Sequence, residues 1–196
     1  MQKQGIFTND EYSVIINKNA KILSFNKLNN CTIYGAQISA SHIFNSVVAD
    51  GAEVNSSYLR GAIVRRHAKV GVFSHLREGS VIGEHVRIGN FVETKNSNIG
   101  AQSKVAHLTY VGDAVVGKNV NVGCGTVFCN YNGKIKQKTF VGDNVFIGSN
   151  SNLVAPLVID SNTFIAAGST ITQNVPEHAL AIARARQINK LNYLNT

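Results

Sequence analysis

Aliphatic residues recur every six positions along most of this chain, and that spacing constrains the fold more than any other feature. Val64, Val70, Leu76, Ile82 and Ile88 follow one another in steps of six. After a one-residue slip the series resumes at Ile99, Val105 and Val111, and after another at Val116, Val122 and Phe128. Val141, Ile147, Leu153, Ile159, Ile165 and Ile171 then run unbroken. Gly or Ala usually follows the aliphatic, as in IGEHVR, VGKNVN and IAAGST. The fifth position is small or β-branched, as at Val86, Ser103, Thr126 and Ser151. An α-helix cannot hold such a register, because successive sixes drift around a 3.6-residue turn.

The pattern predicts an all-β, single-stranded parallel β-helix shaped as a triangular prism. Each hexad supplies one short strand and one corner. The aliphatic points to the axis, and the small residue beside it lets the backbone turn without a side-chain clash. Three hexads close a coil of about 18 residues, and coils stack about 4.8 Å apart. Stacking buries a continuous core and pairs the backbone groups of neighbouring coils. The β-helix is expected over residues 14–175, with 14–63 as irregular early coils. There Val48 and Val54 fit the period, and Ile22 and Ile33 fit it less clearly. Residues 1–13 read as a polar lead-in. The polar, basic stretch NYNGKIKQKT, from Asn130 to Thr139, reads as a loop pushed out of one corner. Pro176 ends the repeats, and the composition of 176–196 predicts a helical tail.

The formal charge of +8, from 19 Lys+Arg against 11 Asp+Glu, favours anionic partners. Nucleic acid, phosphorylated metabolites and nucleotide-like cofactors all qualify. Nucleic acid fits least, because the cations are not interleaved with aromatics. The odd trio Cys31, Cys124 and Cys129 lacks metal-ligand spacing and fits a reducing cytoplasm. The opening MQKQGIFTNDEYS has no apolar core of a signal peptide, and no apolar run reaches transmembrane length.

Repeat arithmetic supplies candidate site residues. Arg77 and Lys95 are 18 apart, so they stack one coil above the other. Both occupy slots where the repeat prefers Gly or Ala. The pair reads either as a phosphate clamp or as a solvated basic ridge. His107, with Tyr110 three residues on, is suited to general-base work near neutral pH, although a single histidine is commonly a surface residue. Asn121, Asn130 and Tyr131 follow about one coil later. Asn121 also suits a stacked asparagine ladder. Cys124 fills a slot for a small residue, which explains it more simply than a nucleophile does.

From about Val64 to Tyr193 the chain resembles the C-terminal acetyltransferase domain of the bacterial bifunctional N-acetylglucosamine-1-phosphate uridyltransferase/glucosamine-1-phosphate acetyltransferase. The stretches that carry the resemblance are HLREG, IGNFVETKNS, AHLTYVGDA, VNVGCGTVFCNYNGK, FIGSNSNLVAP, IAAGSTIT and ALAIARARQ. The resemblance implies left-handed coiling and a homotrimer with sites between adjacent prisms. It implies acetyl transfer from acetyl-coenzyme A to glucosamine 1-phosphate, with no metal, on the path to UDP-GlcNAc and peptidoglycan. On the matching positions, Arg77, Lys95, Tyr110, Asn121, Asn130 and Tyr131 correspond to sugar-phosphate ligands. His107 corresponds to the base, and Lys136 to a loop lysine expected to reach a neighbouring subunit's site. Cys124, Ser149, Ala167 and Arg184 correspond to acetyl-coenzyme A contacts.

Three departures stand out. No Gly-rich nucleotide-binding motif opens the chain, so uridyl transfer is excluded for these 196 residues. That departure also raises a non-catalytic alternative, a trimerisation or partner subunit of a separate nucleotidyltransferase. The family's Arg-Leu-Arg-Pro reads His75-Leu76-Arg77-Glu78, which puts a negative charge near the clamp. It raises another amino sugar as the acceptor. The family's Asn-Tyr-Asp-Gly reads Asn130-Tyr131-Asn132-Gly133.

Overall fold

The structure, a computed structural model, describes residues 6–8 and 14–195. It is a parallel β-solenoid of about ten turns. Short strands line three faces of a prism, and each pairs in parallel with the strand one coil before and one coil after. One face runs through Lys69–Val70, Arg87–Lys95 and Lys104–Gly112. The same two long strands bend around a corner and continue onto the second face, below Val127–Cys129. The third face runs through Ile63–Val64, Val81–Ile82, Asn98–Ile99 and Ala114–Val116.

Every aliphatic of the six-residue series is buried, from Val64 to Ile171. The fifth-position residues, including Ser103, Thr126 and Ser151, are buried beside them. Removing a fully buried branched side chain from water contributes about 1.5–3 kcal/mol, so the stack of such positions is the main stabilising term. The small residue after the aliphatic is required by close backbone approach. A Cβ on Gly89 would collide with the carbonyl of Ala106, one coil above.

The length of a coil varies along the prism. Ile63 pairs with Val81 and Lys69 with Arg87, a step of 18. Above Arg87 the step falls to 17, as Lys104 pairs with Asn121 and Asn98 with Val115. Thr94, fully buried, takes the aliphatic slot at the point where the series slips. The early coils are shorter and regular in structure. Lys27 pairs with His42, a step of 15, and Gln37 with Glu53, a step of 16. Their irregularity is one of period: sides of five residues replace sides of six. The corners stay tight because Ala40, Asn45 and Ser56 adopt positive φ.

The lead-in is not wholly outside the prism, because Ile6–Thr8 pairs with the strand Asn26–Asn29. Its remaining residues, 1–5 and 9–13, lie outside the described part. At the other end, the helical tail expected over 176–196 is realised only as a 3-10 turn, Tyr193–Asn195. Val175 bridges to Ile159, and Leu180–Ala181 pairs with Phe164–Ile165. The amides of Phe164 and Ala166 donate to the carbonyls of Ala179 and Ala181 at 2.9 Å. These ladder bonds, which a helix would forfeit, cover the last coil's open edge. Among the described residues no helix is long and apolar enough to cross a membrane.

Candidate functional site

The candidate residues fall into two groups on either side of one corner. The first is a cationic cluster at the end of the second face. His75 pairs with Glu93 and Leu76 with Thr94, so the register stacks Arg77 beneath Lys95, and Lys95 pairs in turn with Gly112. The 18-residue step therefore stacks the two cations as expected. Arg77 Nη1 lies 2.8 Å from Glu93 Oε1, and this bond raises the guanidinium pKa. The Lys136 ammonium beside Lys95 holds the Lys95 amine below its usual range. Within the single chain Lys136 lies beside Lys95.

Asp113 organises this cluster. It sits at a corner with φ of 48°, is buried, and uses both carboxylate oxygens. Asn96 Nδ2 donates to Oδ1 at 2.6 Å, and Asn130 Nδ2 donates to Oδ2. Burial pushes the Asp113 carboxyl up, but these two amides, with the Lys95 and Lys136 ammoniums, outweigh it and hold it below the ordinary value. Asn130 Nδ2 also reaches the Tyr110 hydroxyl at 3.4 Å. Gly112 makes room for that ring: a Cβ there would lie 2.5 Å from Tyr110 Cζ.

Asn130 to Thr139 is an extruded loop, and the coil containing it has a step of 25, from Ala114 to Thr139. It folds on itself. Tyr131 bridges Lys136 in antiparallel sense, and the Gln137 amide donates to the Asn130 carbonyl at 2.8 Å. Asn132 Oδ1 accepts from the amides of Lys134 and Ile135 at 3.0 and 2.9 Å. An aspartate would accept these bonds equally well, so Asn132 in place of the family's Asp preserves the turn. Tyr131 is exposed, and its hydroxyl donates to the Gly133 carbonyl at 2.7 Å. The Glu78 carboxylate pairs with Arg60 Nε at 3.1 Å and also acts on Arg77 as a nearby charge. The carboxylate on Arg77 is that of Glu93.

The second group is a column along the prism axis. The Gly125 amide donates to the His107 carbonyl, Asn150 to Cys124, and Gly168 to Ser149. These successive bonds stack His107, Cys124, Ser149 and Ala167 at one position of four consecutive coils. Arg184 continues the column, with its Cδ 3.9 Å from where a Gly168 Cβ would sit. The column spans about 14 Å at the strand spacing of about 4.8 Å. His107 is exposed at the end of the first face, and Leu108, with φ of 46°, turns the corner toward Tyr110. Asn121 stands on the first face between Lys104 and Phe146, apart from the cationic cluster. Repeat reasoning missed Glu93, Asn96, Gly112 and Asp113. The signal for Glu93 was strand alternation, which turns it to the same side as Tyr110.

The family described as bacterial transferase hexapeptide (six repeats) matches residues 138–173. The chain is 53% identical over 156 residues to the bifunctional protein GlmU of Shouchella clausii, covering 80% of this chain and 34% of that protein. It is 52% identical over 158 residues to the GlmU of Thermosipho melanesiensis, covering 81% and 34%. The chain thus spans about a third of the length of these curated relatives. Among solved structures, LpxA from Acinetobacter baumannii aligns with a TM-score of 0.57 at 16% identity, over 88% of this chain and 70% of that one. That likeness concerns the fold alone. The chain thus has the parallel left-handed β-helix fold, matches the hexapeptide-repeat family over residues 138–173, and is similar in sequence to about a third of bifunctional GlmU.

Proposed function

We propose that this chain transfers acetyl from acetyl-coenzyme A to the amine of glucosamine 1-phosphate, giving N-acetylglucosamine 1-phosphate in the cytoplasm for UDP-GlcNAc and peptidoglycan synthesis. The observation that carries this reading is the stacking of Arg77 on Lys95, with Lys136 alongside, one corner away from His107. A phosphate dianion relieves the repulsion of the two ammoniums and takes Arg77 from Glu93. Tyr110, Asn130 and Tyr131 border the sugar, and Asn121 approaches it from the first face. The column of Cys124, Ser149 and Ala167 suits an extended thioester arm, whose phosphates Arg184 meets at the far end.

The sugar's amine must be neutral to attack. His107 takes the ammonium proton, the nitrogen lone pair forms the new C–N bond, and the thioester C–S bond breaks. The nitrogen's remaining extra proton passes to the departing sulfur, so coenzyme A leaves as the thiol, the countable product. A homotrimer is part of the reading: His107 and Leu108 stand open at the corner, where an adjacent prism would close the site.

Incubation with acetyl-coenzyme A and glucosamine 1-phosphate is expected to release coenzyme A, measured by thiol titration. His107→Ala is expected to lower that rate about 100-fold or more. A variant with wild-type turnover would overturn the role of His107, and a wild-type protein that releases no thiol would overturn the reaction itself.

A further inference from the structure

The chain leaves the prism at Asn130 and returns at Thr139, and one residue holds both ends. The Asp113 carboxylate accepts from the Asn130 amide, and the Asp113 carbonyl accepts from the Thr139 amide at 3.2 Å. Its other carboxylate oxygen accepts from Asn96, and its own amide donates to the Lys95 carbonyl at 3.0 Å. Asp113 is thus joined to the strand end that carries Lys95 and to both roots of the loop that carries Lys136. Asp113 is itself assigned no contact with the sugar or the thioester; it acts through Lys95 and Asn130, which are assigned one.

We propose that Asp113 is the positioning residue of the anion site: it pins the roots of the extruded loop so that the Lys136 ammonium stands beside Lys95. The inference rests on reading that cluster as the phosphate site. Three features carry it. Asp113 occupies a corner at positive φ, a conformation that Asp adopts more readily than most residues. It is buried with both oxygens engaged, so its orientation is fixed. It is the anionic group that the amides of Asn96 and buried Asn130 and the two lysines share, so its charge offsets the lysines' repulsion before substrate arrives. Glu93 has a different role, since the phosphate replaces it at Arg77, whereas Asp113 keeps its amides throughout.

The test is Asp113→Asn, which keeps the shape and one acceptor oxygen but turns an NH2 toward the amide of Asn96 or Asn130. Amide hydrogen exchange across residues 131–138 is expected to quicken about tenfold, while the rest of the prism keeps its protection. Calorimetric affinity for glucosamine 1-phosphate and for inorganic phosphate is expected to weaken about tenfold, with KM for acetyl-coenzyme A unchanged. The double variant Asp113→Asn/Asn130→Asp restores a donor facing an acceptor and is expected to recover the loop's protection. Wild-type exchange and affinity in the single variant, or no recovery in the double, would overturn the proposal. Where Asp113→Asn does not fold, Asn96→Ala removes one amide and is expected to give a weaker form of the same release. Unchanged exchange in that variant would equally overturn it. A wild-type protein that fails to transfer acetyl defeats the catalytic reading and leaves the exchange test standing.

Discussion

Gly112 shows how a single residue places the Tyr110 ring and its contact with Asn130. Its φ is not the reason, because it lies in a strand rather than at a positive-φ corner. The reason is the Tyr110 ring, which lies over it. What a new Cβ would strike is the far end of a side chain rather than backbone, so the fold can yield cheaply. Gly112→Ala is therefore expected to keep stability within about 1 kcal/mol by thermal denaturation. Tyr110 swings off, its contact with Asn130 is lost, and KM for the sugar phosphate rises about tenfold. Unchanged KM would show that Tyr110 does not depend on the glycine. This residue was invisible to period reasoning, because a glycine among hexads looks like a corner requirement. Arg77 over Lys95 was legible for the opposite reason: two large cations in slots for small residues violate the pattern.

At the scale of the element, the loop is an insertion into an otherwise ordinary coil. Gly112, Asp113 and Ala114 lead from the second face to the third with one residue at the corner. One coil above, Cys129, Asn130 and Thr139 stand in the same places, by the pairing of Ala114 with Thr139. Deleting residues 131–138 leaves a 17-residue step, which the coils just below already use. Asn130 then becomes the corner, and Asn tolerates positive φ. The deletion variant is expected to fold with a far-ultraviolet spectrum and melting temperature near wild type. It loses Lys136 and Tyr131, so glucosamine 1-phosphate turnover is expected to fall about 100-fold. A variant that aggregates or melts early would show that the loop is structural. The loop's limits were readable from the gap between Phe128 and Val141. Its return to Lys95 was not, because it carries no repeat from which a register follows. The tail failed differently. Its composition favours a helix, but Leu180 and Ala181 gain more from the open edge of the last coil than from helical bonds of their own.

At the scale of the molecule, each coil pairs only with its neighbours, so stability is a sum of nearest-neighbour terms and the ends open first. Cys31 is placed to report this. It is 3% exposed, and burial pushes its thiol up to about 11. It is therefore inert to thiol reagents while its coil is closed. Its only described neighbour toward the N-terminus is the strand Val14–Ile16, so loss of that one coil uncovers it. Cys124 and Cys129, half-buried in the middle of the chain, are replaced by serine so that Cys31 is the sole thiol. In rising urea, Cys31 is expected to become reactive at a lower concentration than the midpoint of the circular-dichroism transition. Coincident midpoints would mean that the short early coils and the long ones of the site melt as one unit. That would bind the coils of the candidate site to an end whose period differs from theirs. A separation would instead mean that the residues around Arg77, Lys95 and His107 are held by the regular 17- and 18-residue coils alone, with the shorter coils as a cap.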